Sequence, residues 1–202
     1  MKSNYLKKLG DSMNFVADIP REEQDKLLKR LHSITVKKNE YFLRAGDVPQ
    51  RIGFNVSGLM RLFYIDSNGT EFIKHFCMEN TLAISFSAFL LREESKFYIQ
   101  AIEDTKLLTI NYETYHEILD SHVCWQIVSR KLAELLYIIK EKREYELLMN
   151  SAQERYLQFL DDYPNLEERL NNYHIASYLG ITPESLSRIR TNLRKTKINI
   201  HQ

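Results

Sequence analysis

The chain has 202 residues, of which 44% are apolar and 27% charged, with only 6 glycines and 4 prolines. That length allows one large domain or two modest ones, and the composition excludes a disordered or fibrous chain. The 28 basic and 27 acidic side chains leave a formal net charge of +1, but the average hides a local excess near the carboxyl end. No apolar run approaches the roughly 18–20 residues that a bilayer crossing requires. Met1 to Gly10 carries lysines without the apolar block of a signal peptide, so no membrane partner and a cytoplasmic location are expected.

From Pro20 to Leu31, proline comes first, acids next and bases last, an order that suits a short helix and its macrodipole. From Ser33 to Ile110, runs rich in Ile, Val, Phe, Tyr and Thr are punctuated by Ala45-Gly46-Asp47, Ser57-Gly58 and Ser67-Asn68-Gly69. These are antiparallel strands closed by tight turns, in a small barrel or sandwich. Asn68-Gly69 separates Leu62–Ile65 from Phe72-Ile73 and predicts a hairpin with a type I′ turn. Tyr112 to Leu119 returns to helical spacing.

A long helix follows from Val123 to Met149 with no glycine or proline inside it. Val128, Leu132, Leu135, Leu136, Ile139, Tyr145, Leu148 and Met149 step by threes and fours along a broad stripe. Such a helix is roughly 40 Å long, more than one small domain needs to cover its core. A second copy of the helix is the expected occupant of the surplus face, centred on Val128, Leu132, Leu135, Leu136 and Ile139, although Lys140, Lys142 and Arg143 interrupt a strict heptad. The remainder is helical: Ala152 to Leu160, a break at Asp162-Tyr163-Pro164, Asn172 to Leu179, and Pro183 to about Lys195.

The stretch from His174 to Arg194 carries the function. Ile175, Ala176 and Leu179 form one apolar face, Gly180 ends the first helix, and Ile181 fills the gap before the second. Thr182 is the N-cap and Pro183 the first residue of that second helix. Leu186, Ile189 and Leu193 turn it inward. Arg188, Arg190, Arg194, Lys195 and Lys197 crowd together, and Glu184 is the only acid after Arg169. Thr182, Glu184, Ser185, Ser187, Arg188, Thr191, Arg194 and Lys195 are the candidate DNA-contacting residues. Arginine there can take guanine O6 and N7 together, and glutamate can accept from cytosine N4.

On these residues the chain resembles the cyclic AMP receptor and fumarate–nitrate (Crp/Fnr) family of bacterial transcription regulators. The likeness rests on Arg44-Ala45-Gly46-Asp47, on the run from Val56 to Tyr64, on the long helix, and on I-A-S-Y-L-G-I-T-P-E-S-L-S-R from Ile175 to Arg188. It implies an α+β fold: a cyclic-nucleotide-binding-like β-roll (double-stranded β-helix) over 1–120, a dimerisation helix over 121–150, and a winged helix-turn-helix over 151–202. The implied protein is a homodimer on a palindromic double-stranded DNA operator, with RNA polymerase as a further partner. Glu184 and Arg188 match base-contacting positions of the family, while Pro183 replaces an arginine that many relatives use. Only Ile198-Asn199-Ile200 is left to start a short wing.

In relatives that bind a cyclic nucleotide, Gly-Glu and Arg-Ser hold the ribose and phosphate. The matching positions here are Ile84-Ser85 and Ser95-Lys96, the candidate effector pocket, and they lack both the glutamate and the phosphate-pairing arginine. No response to cyclic AMP is expected, and the effector is unnamed. No cysteine precedes Cys77, which sets aside the iron–sulfur cluster of some relatives, and Cys77 and Cys124 read as packed thiols. His75 and Cys77 would share one strand face, a pair that packing explains as well as haem does. Phe86, Phe89, Leu90, Leu91, Phe97 and Tyr98 read as filling of the roll rather than as an apolar ligand site. The scattered histidines 32, 75, 116, 122, 174 and 201 make no metal site, and no nucleophile elbow or phosphate loop occurs; no cofactor, metal or enzyme is expected. The alternative is a ligand-binding β-roll whose helical end docks a partner protein.

Overall fold

The computed structural model describes residues 17–200, with side chains through Lys195. The lysine-bearing start, Met1 to Gly10, and His201 lie outside the described residues. The described chain forms two units: residues 17–65 with 74–136, and residues 66–73 with 137–200.

In the first unit, helix α1 (Arg21–Arg30) has Glu22 and Glu23 in its first turn and Lys29 and Arg30 in its last. Each end therefore carries the charge that opposes its helix dipole. Eight strands follow: β1 (His32–Val36), β2 (Tyr41–Leu43), β3 (Arg51–Ser57), β4 (Met60–Ile65), β5 (Glu71–Cys77), β6 (Leu82–Ala83), β7 (Tyr98–Ala101) and β8 (Thr105–Asn111). They make two four-stranded sheets, ordered β1-β8-β3-β6 and β2-β7-β4-β5: the turn-punctuated strands predict a small barrel or sandwich, and the resemblance implies the β-roll form of it. The registers Ile34 with Leu107 and Phe54 with Leu108 are antiparallel. Leu107 belongs to a core with Met60, Leu62 and Ile99, whereas its neighbour Leu108 packs with Phe54, Leu27 and Trp125. Successive residues of a strand point to opposite faces, so this sheet is covered on both. Gly58 has φ +101°, and a Cβ there would meet Asp104 O at 2.6 Å; the turn between β3 and β4 requires glycine.

Two local expectations are corrected. The β4–β5 turn is not type I′, because only Gly69 has positive φ and Asn68 does not. Asp66 organises it instead: Oδ1 accepts from Asn68 N (2.9 Å) and Thr70 N (2.8 Å), and Gly69 N donates to Asp66 O (3.1 Å). An aspartate at the first position favours this Asx-type turn, followed by glycine in the left-handed region. The residues read as core filling do this only in part: Phe86–Leu91 form helix α2, in which Ala88 and Phe89 are buried but Leu90 and Leu91 exposed, while Phe97 lies in the core between the sheets. Six residues with helical spacing can bury only one side.

Helix α3 (Tyr112–Ser121) is capped by Asn111, and α4 (Val123–Met149) runs 27 residues. The division between the units falls within α4, between Leu136 and Tyr137. The second unit adds α5 (Ala152–Asp162), a 3-10 turn (Leu166–Arg169), α6 (Asn172–Leu179) and α7 (Pro183–Ile200). Phe159, Tyr163 and Tyr178 form an aromatic core with ring centroids 5.5–5.7 Å apart. The Arg143 guanidinium lies 3.9 Å over the Tyr178 ring. A third correction concerns the wing: residues 198–200 are the last turn of α7, and no strand follows it among the described residues. After Pro183 the sequence has neither glycine nor proline to stop the helix.

Candidate functional site

Asn171 caps α6 by accepting from His174 N at 2.8 Å. The helix ends at Gly180, in the left-handed region at φ 69°, and Ile181 N closes the turn on Ala176 O at 3.0 Å. Thr182 Oγ1 then accepts from Ser185 N at 3.3 Å and caps α7. Ile175, Leu179 and Leu186 are fully buried, so the eight-residue α6 and the 18-residue α7 share a core across a three-residue turn. A cap, a glycine and three apolar residues build this helix, turn and helix.

On the outer side of α7, Thr182, Glu184, Ser187, Arg188, Thr191, Arg194 and Lys195 are exposed, and Ser185 is half-buried. At about 100° per residue, Glu184, Arg188, Thr191 and Lys195 fall in one stripe along the helix. Arg188 Nη2 donates to Ser185 Oγ (3.0 Å), which lies 3.2 Å from Thr182 Oγ1. Glu184 is held below the usual carboxylate range by its own backbone N–H, then by the Thr182 hydroxyl, with Arg188 adding to the effect. The stripe therefore begins with an anion at the positive end of the helix and continues with cations. The basic excess is smaller than a count suggests, because Arg190 points inward and pairs with Glu167 at 2.5 Å.

In the first unit, Ile84, Ser85 and Ser95 are buried and Lys96 is exposed. Ser85 and Ser95 are 1% and 2% exposed, and their hydroxyls lie 3.1 Å apart. Ser95 Oγ also donates to Phe97 O (2.9 Å) and accepts from Phe97 N (3.3 Å). Gly46 N donates to Ser95 O (2.8 Å) and Ser95 N to Asp47 O (2.9 Å), which ties this loop to the Arg44–Asp47 turn. Ser85 also lines a cleft of ≈ 650 Å³ with Val36, Leu43, Asp47, Arg51 and Ile84. The structure thus brings Ile84, Ser85 and Ser95 together and leaves Lys96 outside. Cys77 is fully buried, accepts from Thr81 Oγ1 at 3.3 Å, and its thiol is pushed up to about 11 by burial. It packs in the core between the sheets.

Of the residues expected at a helix–helix seam, Leu135 and Ile139 are 51% and 39% exposed, and Val128, Leu132 and Leu136 are half-buried. Val128 packs against the Trp125 core of its own unit. Tyr137 and Ile138 are more exposed, at 64% and 59%. The bare apolar face is therefore rotated from the expected stripe toward Ile138.

Residues 33–122 match the cyclic nucleotide-binding domain family. Among solved structures, the chain is similar to FixK2 from Bradyrhizobium japonicum, with TM-score 0.66, 19% identity, and 83% of this chain and 86% of that one covered. It is similar to CLP, a c-di-GMP-responsive global regulator of Xanthomonas campestris, with TM-score 0.70, 13% identity and coverages of 88% and 93%. A transcriptional regulator of Eubacterium rectale, assigned to the Crp/Fnr family, gives TM-score 0.69, 19% identity and coverages of 90% and 85%. Identities of this order establish a shared fold. Among curated proteins, no sequence matches the chain.

Proposed function

We propose that this chain, whose residues 33–122 form a cyclic nucleotide-binding domain and whose fold is that of the Crp/Fnr regulators, is a homodimeric, sequence-specific DNA-binding transcription regulator that does not respond to cyclic AMP. The observation that carries this is the outer face of α7. It is exposed from Thr182 to Lys195, starts at a capped helix end, and carries Glu184, Arg188, Thr191 and Lys195 in register. A helix presented in this way fits the major groove, where its first turns meet base edges and its later cations meet phosphates.

The rest of the chain supports the reading. Ile138, Tyr145, Leu148 and Met149 leave α4 with an apolar face that its own chain does not cover, and a second copy would bury it. A twofold pair of such helices places two reading helices on one side of a duplex, with half-sites about 34 Å apart or a multiple of that. Within the roll, the two positions that would carry a glutamate and an arginine in a nucleotide-binding relative are hydroxyls in mutual contact. A buried phosphate needs a cation and converging donors, and the neutral pair at these two positions supports a roll that does not hold cyclic AMP, although Arg51 lines the neighbouring cleft.

Selection of bound sequences from a pool of random duplexes tests the proposal. The expected result is enrichment of a palindrome with that half-site spacing, and binding whose log K falls with log salt at about 0.9 per phosphate contacted. A pool that stays unenriched at low ionic strength overturns the DNA-binding assignment and favours a docked partner protein.

A further inference from the structure

Arg190 belongs to the basic run of α7 yet takes no part in its outer face. Only 19% of its side chain is exposed. Its Nε donates to Tyr156 Oη (3.1 Å) from α5, its Nη1 to Asn172 Oδ1 (2.6 Å) from α6, and its Nη2 pairs with Glu167 Oε1 (2.5 Å) on the 3-10 turn. Tyr156 Oη donates to the same Glu167 oxygen at 2.7 Å. One guanidinium thus ties α7 to three other segments of its unit, α5, α6 and the 3-10 turn.

We infer that Arg190 is a positioning residue that sets the rotation of α7 about its axis, and with it the direction in which Arg188 and the rest of the stripe point. The inference rests on the proposed reading of α7 as the DNA-contacting helix. The geometry is specific to arginine. Its planar fork spends separate N–H groups on three partners in fixed directions, whereas a lysine ammonium on the same stem is a single point charge without that fork. Arg188 lies about 200° around the helix from Arg190, so fixing Arg190 inward holds Arg188 outward. The apolar residues Leu186, Ile189 and Leu193 hold the helix against its unit, but a greasy contact tolerates small rotations that a set of directed hydrogen bonds does not.

The test compares wild type with R190A, R190K and E167A for binding to the selected duplex over a range of salt. All three variants are expected to weaken binding about tenfold or more with an unchanged salt slope. E167A is the sharpest arm: removing an acid near a polyanion should tighten binding if only net charge matters, and the clamp requires the opposite. Arg190 would instead be a phosphate contact, and the inference overturned, if R190K bound like wild type, R190A lowered the slope by about one phosphate's worth, and E167A bound more tightly. If wild type selects no duplex, the DNA reading itself falls. The clamp is then judged without DNA by amide hydrogen exchange across residues 184–195: at least tenfold faster exchange in R190A and E167A supports it, and unchanged exchange overturns it.

Discussion

Glu23 shows how one buried carboxylate can organise a corner. It accepts from Lys26 Nζ (2.6 Å) on its own helix, from Trp125 Nε1 (2.9 Å) at the start of α4, and from Ser121 Oγ (3.2 Å) at the end of α3. The Lys26 bond first, and the Trp125 bond next, bring its carboxyl down from the ordinary 4.5 to about 2. A carboxyl depressed on folding contributes stability that is complete above its unfolded value and is lost as the pH falls toward its folded one. Glu23→Gln should therefore melt below wild type at neutral pH, with the gap constant down to about pH 4.5 and closing toward about pH 2. Thermal melts across that interval check it, and a gap independent of pH would show that the charge is irrelevant. On α7, Arg188→Ala is expected to lose about 1–3 kcal/mol of discrimination at a single base position, read by binding to a library of single-base operator variants. Equal loss at every position would make Arg188 a phosphate contact instead. Arg190 is a lesson in which signal to trust. Counting cations put it with Arg188, but it stands four residues after Leu186 and three before Leu193, and that spacing already turns it inward.

Elements with strong local punctuation could be read from the amino acids alone. Helix α4 has the expected ends because nothing inside it breaks a helix, and beyond it Ser151 starts α5 with a capping box: Ser151 Oγ accepts from Glu154 N (3.3 Å) and Glu154 Oε2 from Ser151 N (2.7 Å). The turn before α7 was equally plain, since a glycine stop, a threonine cap and an early proline each admit few conformations. Helix α2 was not plain, because a six-residue run with five apolar side chains looks the same as a buried strand or a short helix. The face of α4 proposed to meet a second copy was only half readable. Periodicity defines a stripe, but the tertiary contact of Val128 with the Trp125 core decides how much of it remains free. Leu135 and Ile138 are exposed whichever stripe is chosen. Leu135→Asp and Ile138→Asp should each convert a dimer to a monomer in sedimentation analysis, since the seam would have to bury an unpaired charge. Dimers that survive both substitutions would place the seam elsewhere.

At the level of the whole molecule, residues 33–122 match the cyclic nucleotide-binding domain family, and the positions where the resemblance places a glutamate and an arginine hold Ser85 and Ser95. A ligand that binds only the folded form stabilises by RT ln(1 + [L]/Kd), about 2.7 kcal/mol at a hundredfold excess over Kd. Cyclic AMP should leave the melting temperature of this protein unchanged at any practical concentration. A saturable rise would mean that the roll finds a way to hold the phosphate without Arg–Ser chemistry. Patterning anticipated a small barrel or sandwich, a long helix and a basic helical hairpin, and the family resemblance made the first of these a β-roll. The effector could not be anticipated, because two serines identify no ligand.

The contact between Ser85 and Ser95 bears on how such a roll can accept a charge. An arginine placed at 95 alone would bury a cation beside a neutral hydroxyl, and a glutamate at 85 alone would bury an anion in the same way; either charge would lie unpaired in a site that is 1–2% exposed, at a cost of several kcal/mol. The two positions are thus coupled through one small buried space, and a charge introduced at either one calls for a counter-charge, from a second side chain or from a bound ion.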